Sequence, residues 1–127
     1  MPQSFNSFDE FWAFYLRAHG KPQTRALHIA GTMLSIAFLA AALAALGSDP
    51  GSPLSWLIGA ALAGCAALAG YGFAWIGHFV FEGNRPATFE HPLWSLLADL
   101  RMSWLWATGA LKPELERAGV TRGHPRQ

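Results

Sequence analysis

Two stretches of this chain, residues 26–46 and 50–81, contain no Asp, Glu, Lys or Arg, and they constrain the fold more than any other feature. A run of about 18 or more apolar residues is long enough to cross a bilayer's hydrocarbon core as a helix. The chain has 127 residues, of which 52% are hydrophobic and only 13% charged, and the charges lie outside both runs. These numbers imply one all-α integral membrane domain, a helical bundle rather than a soluble fold. The link Gly47-Ser48-Asp49-Pro50-Gly51-Ser52-Pro53 is rich in helix breakers, so the two runs form an antiparallel hairpin. About twenty-five polar or amphipathic residues precede the first run and a second follows at once, which reads as an uncleaved span rather than a signal peptide. A formal net charge of +1 offers no basic surface to nucleic acid. Cys65, the only cysteine, lies inside the second run and excludes both an intramolecular disulfide and a CxxC metal site.

Around the hairpin the elements follow from local signals. Residues 7–17 form an amphipathic helix: Ser7 and Glu10 stand at capping-box spacing, and Phe8, Phe11, Trp12, Tyr15 and Leu16 share one face. That face suits either the membrane interface or packing on the other helices. After the turn His19-Gly20-Lys21-Pro22, Thr24 is the expected N-cap of a first span over 25–46. The second span covers 54–81, which at 1.5 Å rise is about 42 Å against a core of about 30 Å. It must tilt, break near Gly70-Tyr71-Gly72, or protrude. Gly59, Ala60, Ala63, Gly64, Ala67 and Gly70 are its expected helix-packing positions. A third helix over 92–111 carries Asp99 and Arg101, so it either spans with these turned inward or lies in the interface. We expect a span, although the basic residues after it then fall on the far side. The remainder, 112–127, reads as a solvated tail in which His124 has no role.

The hairpin topology brings histidines together. His19 precedes the first span, His28 begins it, His78 ends the second and His91 begins the third helix, so four of the five histidines share one membrane face. Arg17, Lys21, Arg25 and Arg85 lie on that side and the connecting turn has no cation, which places the histidines at the cytoplasmic face. Such a gathering indicates a metal site, and imidazole suits zinc, copper, iron or nickel. Glu82 stands four residues from His78, on the same face of a regular helix. It is either a carboxylate ligand or the ion-pair partner of Arg85. Arg85, in the segment Asn84-Arg85-Pro86, is placed to meet a fatty acid's carboxylate at headgroup level or to anchor the helix end. Asp99 and Arg101 either line the same pocket or pair to stabilise helix packing. Clustered HxxxH and HxxHH motifs of the di-iron membrane oxygenases are absent, so one metal ion is expected, not two.

The segments Phe14-Tyr15, His19, His28-Ile29-Ala30-Gly31 and Gly77-His78-Phe79-Val80-Phe81-Glu82-Gly83-Asn84-Arg85-Pro86-Ala87 together resemble the 2-hydroxy fatty acid dioxygenase family, over about residues 8–105. The resemblance implies Fe2+ as cofactor, and a 2-hydroxy fatty acid and O2 as substrates. It also implies α-oxidation to an acid one carbon shorter. It carries His19, His28 and His78 as matched histidines, while His91 and Gly20-Lys21-Pro22-Gln23 depart from the family pattern. The expected site is therefore His19, His28, His78 and His91 as metal ligands, with Glu82 and Arg85 in catalytic roles. The expected location is a bacterial inner membrane, in contact with lipid. Two other readings use the same residues: a bis-His haem electron carrier, which has no CxxCH attachment here, and a non-catalytic scaffold or lipid-binding protein. The sequence fixes neither the oligomeric state nor the chain length of a substrate.

Overall fold

A computed structural model describes residues 3–121 and 124–125. Helix α1, Phe8–Ala18, starts at Ser7, whose side chain accepts from the backbone N–H of Glu10 at 3.3 Å. The Glu10 carboxylate turns back to accept from Asn6 N–H at 3.0 Å, so two otherwise orphaned donors are satisfied reciprocally. The aromatic face of α1 is not spread on a surface. Phe11 and Leu16 are 0% exposed, with Trp12 and Tyr15 buried beside them.

Helix α2, Pro22–Ser48, begins three residues before the expected first span, because Pro22 needs no N–H partner in the first turn and has the helical φ already set. Thr24 is therefore not the cap; it lies buried inside the first turn, packed against Gly77. Helix α3, Pro53–Ile76, runs unbroken through Gly70-Tyr71-Gly72 and passes at Gly77 into a π-helical turn, Gly77–Glu82. Among the described residues, Pro22–Ser48 and Pro53–Glu82 are the two segments long and apolar enough to cross a membrane. Only 17% of the most apolar window of each is buried, the opposite of a core helix in a soluble protein.

The hairpin packs through small residues, and of the six expected positions Gly59 and Gly70 take part. Gly59 lies against Ala42 and Leu46, Gly70 against Ser35, and the Ser35 hydroxyl donates to Ala66 O at 2.8 Å. Gly64 has open space around it, and Ala60, Ala63 and Ala67 are exposed. The closest approach is at Gly31, where an added Cβ would lie 2.7 Å from Ala69 O and 2.8 Å from Phe73 Cβ.

A 3-10 turn, Ala87–Phe89, leads into α4, Pro92–Ala107, of 16 residues and so about 24 Å. The expectation of a third span is not met. Near its start α4 shares a cavity with Trp75 and His78 at the end of the hairpin's second limb, and near its end Trp106 shares a cleft with Pro22 and Arg25 at the start of the first limb. Helix α4 thus lies across the open end of the hairpin, with Ala98 and Met102 buried and Leu93, Leu96 and Trp104 exposed. The solvated tail is also corrected over its first part. Leu111–Arg117 form α5, which docks on α1 through a Trp12 Nε1–H to Glu114 hydrogen bond of 3.0 Å and buries Leu111. Beyond it Val120–Thr121 pairs antiparallel with His124–Pro125, and the side chain of His124 lies outside the described part.

Candidate metal centre

Three histidines meet where the end of α1, the start of α2 and the end of α3 converge. His19 caps α1, His28 lies in the second turn of α2, and His78 lies in the π-helical turn. They are 0%, 6% and 1% exposed. The Nε2 atoms of His19 and His28 are 3.2 Å apart, and those of His19 and His78 are 3.0 Å apart. The rings stand nearly perpendicular to one another, at 83°, 75° and 90°.

Two of these rings have their tautomers fixed by their other nitrogen. Nδ1 of His19 lies 2.6 Å from Tyr15 O, which can only accept, so Nδ1 carries the proton. Nδ1 of His78 lies 2.7 Å from Asn84 Oδ1. Asn84 is itself oriented, because its Nδ2 donates to Ala18 O at 3.0 Å, so Oδ1 must face His78 and Nδ1 again carries the proton. Both Nε2 atoms therefore present lone pairs to each other at hydrogen-bond distance with no proton between them. Two buried acceptors face to face are unfavourable unless a cation joins them. Metal-bound histidines show this same pattern, with the second ring N–H donated to a carbonyl or carboxylate. Burial, and then the neighbouring His28 and His78, hold the His19 imidazole well below its usual range, which keeps it neutral and able to ligate.

The turn that delivers His78 and Asn84 depends on backbone geometry. Gly83 has φ +73°, and this left-handed step lets the N–H groups of Gly83 and Asn84 both donate to His78 O, at 2.7 and 3.1 Å. The side chain of Asn84 then swings back to the histidine it follows. Glu82 diverges from His78, because in a π-helical turn residues four apart no longer stack on one face. It accepts from Lys21 N–H, while Lys21 Nζ donates to Phe81 O at 2.6 Å, so Glu82 belongs to a clamp that closes α3 onto the start of α2.

His91 stands apart from the three. Its Nε2 lies 2.7 Å from Gln3 O, and its ring stacks on Trp94 at 6.0 Å and meets Phe5 and Phe11 edge-on. Arg85 is exposed, over the Phe89 ring at 5.3 Å, and among the described residues no ion pair joins it to Glu82. Asp99 and Arg101 part company as well. Arg101 lies over Trp12 at 4.5 Å, while Asp99 accepts from the Tyr15 hydroxyl and sits 3.2 Å from His28 Nε2. Burial first, then the Asp99 carboxylate, hold the Tyr15 phenol well above its usual range, so it remains a donor.

The cluster forms one end of a cavity of about 740 Å³, bounded by α2, α3 and α4 and reaching Leu39 and Ala66. Its far walls are apolar and open sideways between exposed Tyr71 and Trp75 on one side and Leu93, Leu96 and Leu100 on the other. Neither Glu82 nor Arg85 lines it. Sequence reasoning gave no role to Asn84 or Tyr15; Tyr15 stands one helical turn before His19, a spacing that could have flagged it, whereas Asn84 lies beyond the left-handed step at Gly83, where no regular spacing applies. Asp99 did carry a signal, since an ionisable residue in an apolar helix points to function by default.

A family model described as "2-hydroxy-palmitic acid dioxygenase Mpo1-like" matches residues 5–111. No curated protein and no solved structure matches the chain.

Proposed function

The chain belongs to the Mpo1-like family, and from that premise we propose that it is an iron(II)-dependent dioxygenase shortening 2-hydroxy fatty acids by one carbon. The observation that carries this reading is the convergence of three Nε2 atoms at one end of a mostly apolar cavity. His19, His28 and His78 would hold the ion, with Tyr15 O and Asn84 fixing two of their tautomers. With Nε2 separations of 3.0 and 3.2 Å about His19, the three histidines would hold one ion between them and would leave it positions for substrate and O2. A ferrous ion bound there supplies the redox chemistry that O2 requires and that no side chain offers.

The overall change balances with one O2: the C1–C2 bond breaks, C2 becomes the new carboxyl carbon, and C1 leaves as CO2 with water. The protein's own contribution is to bind, orient and exclude. An acyl tail along Ile36, Leu39 and Leu96 would exchange lipid for an apolar protein wall, so the wall supplies packing and orientation rather than a large transfer energy. Arg85, at the rim near Phe89, is suited to meet an arriving carboxylate, and Glu82 ties the α3 end to α2 so that His78 faces His19. A haem carrier is less well supported, since bis-His ligation needs two imidazoles on opposite faces of a planar macrocycle. Here three rings point at one another. By the positive-inside rule we place the site at the cytoplasmic face of a bacterial inner membrane, where lipid supplies the substrate.

The test is turnover. Protein reconstituted anaerobically with Fe2+ and given 2-hydroxyhexadecanoic acid and O2 is expected to yield pentadecanoic acid with equimolar O2 consumption, and His78→Ala to yield none. An iron-loaded protein that shortens no 2-hydroxy acid contradicts the proposal.

A further inference from the structure

Among the described residues that line the cavity, Asp99 is the one charged side chain, histidines aside. Its Oδ1 accepts from the Tyr15 hydroxyl and faces His28 Nε2 at 3.2 Å. Among the described residues no donor reaches Oδ2, and a quarter of the side chain's surface (25%) is exposed. A carboxylate only accepts hydrogen bonds. With no Lys or Arg on the cavity wall, this oxygen repels a ligand's carboxylate and attracts a hydroxyl.

We propose that Asp99 selects the 2-hydroxyl group: a ligand whose carboxylate is drawn to the three-histidine site donates its hydroxyl to Oδ2, while Tyr15 holds Oδ1. The inference rests on the reading of this cavity as a 2-hydroxy acid site and adds the residue that makes it specific. An unsubstituted acid leaves Oδ2 desolvated and unpaired. A 2-oxo acid is worse placed, because it sets acceptor against acceptor. A hydrogen bond to a charged group discriminates by about tenfold or more against an analogue that cannot form it. Asp99→Asn keeps the shape, still accepts from Tyr15, and turns an amide donor to the cavity.

The experiment is displacement of a fluorescent acyl probe from the full chain in nanodiscs, loaded with redox-inert zinc. The competitors are hexadecanoic, 2-hydroxyhexadecanoic and 2-oxohexadecanoic acids. The expected result is a preference of about tenfold or more for the 2-hydroxy acid over both others, shrinking to within about threefold or reversing toward the 2-oxo acid in Asp99→Asn. An unchanged preference in Asp99→Asn overturns the proposal. Should that variant fail to fold, the wild-type series decides alone, since equal displacement by the 2-oxo or unsubstituted acid is also an overturning result. Displacement by none of the three acids overturns the inference together with the substrate reading. Because zinc supports no turnover, an iron-loaded protein without activity refutes only the dioxygenase reading and leaves the measured preference to stand or fall by itself.

Discussion

Asn84 shows how one uncharged side chain can decide what a histidine does. By accepting from Nδ1 of His78 and donating to Ala18 O, it fixes both the tautomer and the direction of Nε2. Replacing it with Ala is expected to weaken metal binding by about 10–100-fold with the fold retained, as read by zinc titration against a competing chelator. His19 makes a prediction about pH. Its folded-state pKa is depressed by burial, so below about pH 6.5 the unfolded chain takes up a proton that the folded chain refuses. The metal-free protein should therefore lose stability as pH falls from that value, by up to about 1.4 kcal/mol per unit for this group, while His19→Gln gives a flatter profile in thermal melts. At this scale the sequence was partly legible. Three histidines could be gathered by topology alone, because span ends must lie at membrane faces. His91 obeyed the same topological logic and still turned to Gln3 O and Trp94, since sharing a membrane face does not set the direction of a ring.

At the scale of elements, the apolar runs announced both spans, and Pro22 and Pro53 set where they begin. What could not be read was the passage from α- to π-helix at Gly77, which changes the facing of every later residue. That one change separates Glu82 from His78, which the four-residue spacing had put together. The packing stripe was legible only in part, because α3 is rich in small residues on more than one side: Gly59 and Gly70 of the expected set face α2, and Ala60, Ala63, Gly64 and Ala67 do not pack there. The hairpin's tightest point gives the element-scale prediction. Gly31→Val drives a side chain into Ala69 O and Phe73, which overpacking data put at about 1–3 kcal/mol, so melting in detergent should fall while Gly64→Val, facing open space, leaves it unchanged. Equal melting of the two variants would show that the α2–α3 contact at Gly31 is not as close as described.

As a whole molecule, the protein is a membrane hairpin whose open end is sealed by two shorter helices. Helix α4 lies across that end and brings Asp99 to the histidines, and α1 supplies His19 and Tyr15 from the other side. The apolar cavity thus has its polar chemistry at one end only, the arrangement a single-chain amphiphile requires. The proposed function requires His19, His28 and His78 together to hold one iron. The measurement that tests it most directly is metal content per chain after anaerobic iron reconstitution, with optical spectra to identify haem. About one non-haem iron is expected, lost in His19→Ala, His28→Ala and His78→Ala and kept in His91→Ala. No bound metal, or a loss in His91→Ala equal to that in the other three, would contradict it.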